Sequence, residues 1–125
     1  MLLRTGYDRP YVAACRESVG AAVEELRRVG AGSAAWNQLV PALDRWFAIR
    51  NPKVEGRDGN PLNEVRAIAE SVIEHGAVMT VPKGIRLAPE TSVLGFAEGE
   101  EISLGEDAFE RLFDAFLAEV EAKFT

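Results

Sequence analysis

The chain holds one histidine, His75, and one cysteine, Cys15, so any chemistry that needs either residue type has a single address. A Ser-His-Asp or Cys-His nucleophile would have to be built through His75, and a zinc centre ordinarily draws on several His or Cys ligands. His75 instead stands beside Gly76 at the end of a helical pattern. There the helix dipole favours a partial positive charge and glycine supplies the stop. Cys15 lies on an apolar helical face, and a thiol in apolar surroundings is unreactive. The sequence therefore predicts no catalytic constellation, no metal and no cofactor.

Carboxylates are more plentiful. Asp58-Gly59-Asn60, with Asn63 and Glu64 close behind, has the look of a calcium loop, because that ion wants oxygen ligands at alternate positions. The pattern fails at Leu62, which occupies the third ligand position, while the glycine is misplaced and Glu64 comes too early. Turn and capping chemistry accounts for these residues. Glu98, Glu100 and Glu101, and separately Glu106 and Asp107, are read as solvated, since a carboxylate pair does acid-base work only where a cleft perturbs it.

The best site candidate is basic. From Arg45 to Arg66, a polar stretch containing Arg50, Lys53 and Arg57 leads into a helix start at Asn60-Pro61, with Asn63 and Arg66 on its first turns. Free amides at a helix N-terminus make an anion pocket when cations converge on it. Arg50, Lys53, Arg57, Asn60, Asn63 and Arg66 are accordingly expected to bind an anion or a partner. On this reading, exchanging Arg50 and Arg57 together for glutamate abolishes binding with little change in melting temperature.

The net charge of −6 opposes a general affinity for phosphate backbones or anionic lipid. Its distribution is uneven, however. Residues 1–57 hold nine Arg and Lys against six Asp and Glu, while residues 58–125 hold five against fourteen. An anion site therefore belongs in the first half.

These residues must be positioned by a single 125-residue domain of ordinary globular composition. Tyr11, Cys15, Val19, Ala22, Leu26 and Val29 recur at helical spacing after Asp8 and Pro10, ahead of a stop at Gly30-Ala31-Gly32. A second helix, capped by Ser33, carries Trp36, Leu39, Val40, Leu43, Trp46 and Phe47, with a kink or break expected at Pro41. Residues 51–60 read as a loop. A third helix, started by Asn60-Pro61, presents Leu62, Val65, Ile68, Ala69 and Val72.

From about residue 77 to 104 short β-rich runs alternate with turn residues, which predicts an antiparallel meander. Pro82-Lys83-Gly84 and Ala97-Glu98-Gly99 are its tight turns and residues 88–91 a longer link. A closing amphipathic helix over Glu106–Phe124 carries Phe109, Leu112, Phe113, Phe116, Leu117, Val120 and Phe124. The predicted fold class is α+β: three N-terminal helices, the meander and the C-terminal helix.

Within the meander, Val81-Pro82-Lys83-Gly84-Ile85-Arg86 followed by Leu94-Gly95-Phe96-Ala97-Glu98-Gly99-Glu100 resembles the strand-turn pattern of the AbrB-like bacterial DNA-binding domains. That resemblance covers about a fifth of the chain and implies a swapped-hairpin dimer on DNA. Charge opposes it: between residues 77 and 105 only Lys83 and Arg86 stand against four glutamates, where a DNA-facing ribbon should be basic. No DNA-contacting residue is carried over from it.

A lone thiol suits a reducing compartment. The segment Met1–Asp8 has neither the apolar run nor the cleavage site of a signal peptide, and no stretch approaches a membrane span. A cytoplasmic address is expected. The aromatic stripe of the last helix, with Trp36 and Trp46, suggests an apolar patch that a second copy would cover. The functional expectation is a non-enzymatic interaction or regulatory module with a protein partner. Its alternatives are nucleic-acid binding through residues 45–66 or the hairpins of 78–104, and a small-anion binder or enzyme.

Overall fold

The computed structural model describes residues 3–125 and is helical. Five helices follow in order: α1 (Arg9–Arg28), α2 (Ser33–Trp46), the single turn α3 (Pro52–Glu55), α4 (Pro61–Glu74) and α5 (Glu106–Phe124). Helix α4 lies at the centre, packed most extensively on α2 and also on α5, while α1 covers α2 and α5. Its central place shows in its burial: Leu62, Val65, Ala67, Ile68 and Ala69 are enclosed together with three polar side chains, Asn63, Glu64 and Ser71.

Most helix boundaries follow local chemistry. Asn60 caps α4 by accepting from the amides of Leu62 at 2.9 Å and Asn63 at 3.2 Å, with Pro61 in the first position. Helix α1 ends where Gly30 takes φ +63°, a conformation that glycine adopts freely. Helix α2 runs through Pro41 as one element, and Gly32 rather than Ser33 occupies its N-cap. The buried seam of α1 is Val12, Cys15, Val19 and Val23, a ridge rotated from the expected one, which leaves Tyr11 40% and Val29 74% exposed.

The meander expected over 77–104 is absent, and the α+β assignment gives way to an all-helical one. Among the described residues no sheet forms. The β-type pairings there are two isolated bridges, Arg4 with Arg50 and Val78 with Glu101. The reason lies in where the main-chain groups find partners, since buried amides and carbonyls must be paired somewhere. Side chains of the helices supply them. Asn37 of α2 donates to the carbonyl of Ile102 at 2.9 Å and accepts from the amide of Leu104 at 3.0 Å. Ser71 of α4 accepts from the amide of Thr80 at 2.9 Å. The buried carboxylate of Glu64 accepts from two consecutive amides, Val93 at 2.8 Å and Leu94 at 2.9 Å.

The segment is thus an irregular strap tied down at three points. Met79, Ile102 and Leu104 are plugged into the core. Hairpin pairing survives only around the Val78–Glu101 bridge, where Met79 donates to the carbonyl of Glu100 at 2.8 Å and Ile102 to that of Ala77 at 2.7 Å. The turns form where the sequence places them: Ile85 donates to the carbonyl of Pro82, Ser92 to that of Ala88 and Glu100 to that of Ala97. The strand-turn pairs that the DNA-binding resemblance implies do not form a sheet among the described residues.

Helix α5 buries its whole apolar stripe within the chain, and Trp36 is 3% exposed. These parts of the apolar patch expected for a second copy are therefore covered within the chain, while Trp46 stays half-buried. No helix among the described residues is long and apolar enough to cross a membrane.

Candidate functional site

The six residues expected to form one basic site separate into two groups facing opposite ways. Arg50, Asn60, Asn63 and Arg66 turn toward Glu55, and the stretch expected as a loop contains the turn of α3 that carries this carboxylate inward. Arg50 follows α2, and its side chain is completely enclosed. Its guanidinium donates to Glu55 Oε1 at 2.9 Å, to Asp44 Oδ1 at 3.0 Å and to the carbonyl of Phe47 at 3.1 Å, and lies over the Phe116 ring. Arg66 closes the other side with bonds of 2.5 and 3.2 Å to the Glu55 oxygens, and Asn63 donates to Oε2 at 2.8 Å.

Burial pushes the Glu55 carboxyl upward. The bonds from Arg66 and Arg50 outweigh it and hold the group down at about 2. The same bond from Glu55 raises Arg66 despite its desolvation. Arg50 is fully enclosed with four of its five N–H donors engaged, out of reach of an external anion, and the α4 amides expected to receive one are taken by Asn60. Reversing the charge at Arg50 would set a second carboxylate against Glu55 inside the core. A melting temperature that survives the Arg50 and Arg57 double exchange is therefore not what this geometry supports.

Lys53 and Arg57 face outward. The fold brings to Arg57 two cations from far along the chain, Lys83 and Arg86. The amide of Arg86 donates to the carbonyl of Arg57 at 2.9 Å. The Arg57 guanidinium lies 3.9 Å from where a side chain on Gly84 would begin. Gly59 makes this joint possible: at φ +87°, a Cβ there would stand 2.3 Å from the carbonyl oxygen of Arg86, so only glycine lets the two backbones meet. Lys53, Arg57, Lys83 and Arg86 are all exposed. Among the described residues, none has an acidic group within ion-pairing distance of its side chain. By contrast Arg16, Arg27, Arg50, Arg66 and Lys123 all do.

Lys123 at the end of α5 braces the corner by donating to the carbonyl of Glu55 at 2.9 Å. Asp58 is occupied locally, accepting from Asn60 Nδ2 at 2.8 Å, which with the Lys123 charge keeps its carboxyl low. Arrays of unpaired cations on a fixed backbone take anionic groups by charge and by bidentate hydrogen bonding.

Cys15 is enclosed, and burial drives its thiol up to about 12. His75 stands beside Glu70 and Glu74 at the outer end of α4, with the three donor atoms within 4.8 Å of one another. These are the donors among the described residues that a metal would use. Glu55, Glu64, Asn37 and Ser71 are buried polar residues whose anchoring role the sequence alone does not announce. The available signal was a polar side chain amid bulky neighbours, as with Asn37 between Trp36 and Val40, or Glu64 between Leu62 and Val65. No family model matches the chain, and neither a curated protein nor a solved structure does.

Proposed function

We propose that the protein is a non-enzymatic interaction module that docks an acidic polypeptide segment on the corner built by Arg57, Lys83 and Arg86. The observation that carries this reading is the meeting of Arg57 with the Lys83–Arg86 turn. It gathers exposed cations without ion-pair partners on an acidic molecule and fixes their backbones by a hydrogen bond and the Gly59 contact. Opposite charge at such a surface steers encounter and selects the partner. The net charge of −6 opposes a long nucleic acid more than a short acidic segment, which favours the segment over a phosphate backbone.

The test is capture from nuclease-treated lysate of the source cells, run in parallel with the wild-type chain and with Arg57→Glu/Lys83→Glu/Arg86→Glu. A stoichiometric protein held by the wild type and lost with the triple variant, whose melting curve stays near wild type, supports the reading. Equal capture by both chains removes the corner from function. Companions that disappear with nuclease treatment transfer it to nucleic acid.

A further inference from the structure

On another face of the molecule, the N-terminal segment closes against the end of α2 to make a cleft of about 590 Å³ lined by Arg4, Tyr7, Tyr11, Arg45, Trp46 and Ile49. Its walls are fixed by main-chain bonds. The amide of Arg4 donates to the carbonyl of Ile49 at 2.7 Å, that of Asn51 to the carbonyl of Arg4 at 2.8 Å, and that of Tyr7 to the carbonyl of Phe124 at 2.7 Å. Tyr11 Oη donates to the carbonyl of Trp46 at 2.6 Å, which sets the two rings 5.3 Å apart, and Tyr7 stacks on Tyr11 at 5.7 Å.

We propose that this cleft binds a small planar aromatic anion. Two observations carry it. Tyr11 is 40% and Ile49 37% exposed and Trp46 is half-buried, so an aromatic and apolar surface faces solvent in a concavity whose volume falls in the range of small-molecule sites. The exposed guanidiniums of Arg4 and Arg45 belong to the same lining. Arg4 uses Nε on the carbonyl of Gly6 and Arg45 makes no ion pair, so against Asp8 the lining is net positive.

The other clefts lack this combination. Of the two between α1 and α5, one is bridged by the Arg16–Glu121 ion pair at 2.9 Å and has no aromatic wall, and in the other Arg27 is already paired with Glu24 and Glu110. The groove between α2 and α4 sets Arg45 and Arg66 against Asp44, Glu70 and Glu74.

The test is a titration of the isotope-labelled full chain with 2-naphthoate, and separately with uncharged 2-naphthylmethanol, followed by the Trp46 indole N–H and the backbone amides in NMR spectra. Arg45→Gln serves as the site variant, because Arg45 is exposed and has no internal bond to lose, and Arg57→Gln as the control. The expected result is saturable shifts at Trp46, Tyr11 and Ile49, an affinity for naphthoate about five-fold above that for the alcohol, and loss of that advantage in Arg45→Gln but not in Arg57→Gln. Shifts confined to other surfaces, equal binding of acid and alcohol, or no shift at about 2 mM naphthoate would overturn the proposal.

Discussion

Arg50 and Arg57 lie in the same polar stretch, one on each side of α3, yet the molecule uses them for opposite purposes. Arg50 is enclosed, holds Glu55, Asp44 and the carbonyl of Phe47, and has nothing to offer a partner. Arg57 is exposed, pairs with no acidic group, and meets Lys83 and Arg86 through a backbone joint. What separates them is Glu55. A buried carboxylate needs charge-assisted partners, and it recruits Arg50, Arg66 and Asn63 from the surrounding elements. The cations beyond its reach stay outside, where charge is inexpensive and available.

Removing Glu55 should break this division most severely. Glu55→Ala leaves Arg50 enclosed without its main counter-charge and should cost about 3–5 kcal/mol in urea unfolding. Replacement of the three outer cations should barely move the same curve, each by about 0.5 kcal/mol or less.

Acid should act most strongly on the inner group. The Glu55 carboxyl is held at about 2 in the folded chain against an ordinary value of 4.5. Its contribution is therefore complete above about 4.5 and is lost as pH falls from there toward about 2, to a total of about 3 kcal/mol. Urea midpoints measured across that range in the wild type and in Glu55→Gln check the sign, since the variant should show a flatter dependence.

The strap over residues 77–105 sharpens the comparison, because it too is held by a buried carboxylate. Glu64→Gln keeps the shape but replaces one acceptor oxygen with a donor facing an amide. It should cost about 1–3 kcal/mol, with hydrogen exchange accelerating at Val93 and Leu94 before the helices respond. Asn60→Ala should cost less than the carboxylate replacements, about 1 kcal/mol, by uncapping α4, and should leave the outer corner's cations in place.

The contrast also shows what the sequence could convey. Helix α5 was legible to the residue, from Glu106 to Phe124, because its apolar period is long and its first turn acidic. The start of α4 was legible from Asn60-Pro61. The strap was not. Val78–Val81, Ser92–Phe96 and residues 100–104 have the composition of strands and their turns form where expected. Whether such runs pair with one another depends on competitors supplied by distant positions, and here Asn37, Glu64 and Ser71 fill that role. The basic stretch was visible as charge, but its partition was not, since the facing of Arg50 follows from Glu55 and that of Arg57 from a turn 26 residues further on. Lys83 and Arg86 stood in the sequence only as part of a hairpin that does not form.

The most direct measurement is equilibrium urea unfolding of Arg50→Gln and Arg57→Gln side by side with the wild type. The structure requires Arg50→Gln to lose about 3–5 kcal/mol, because Glu55 and Asp44 are left with a neutral partner in an enclosed site, while Arg57→Gln stays within about 0.5 kcal/mol of wild type. Equal and small losses for the two variants would contradict the division between a structural inner group and a free outer corner.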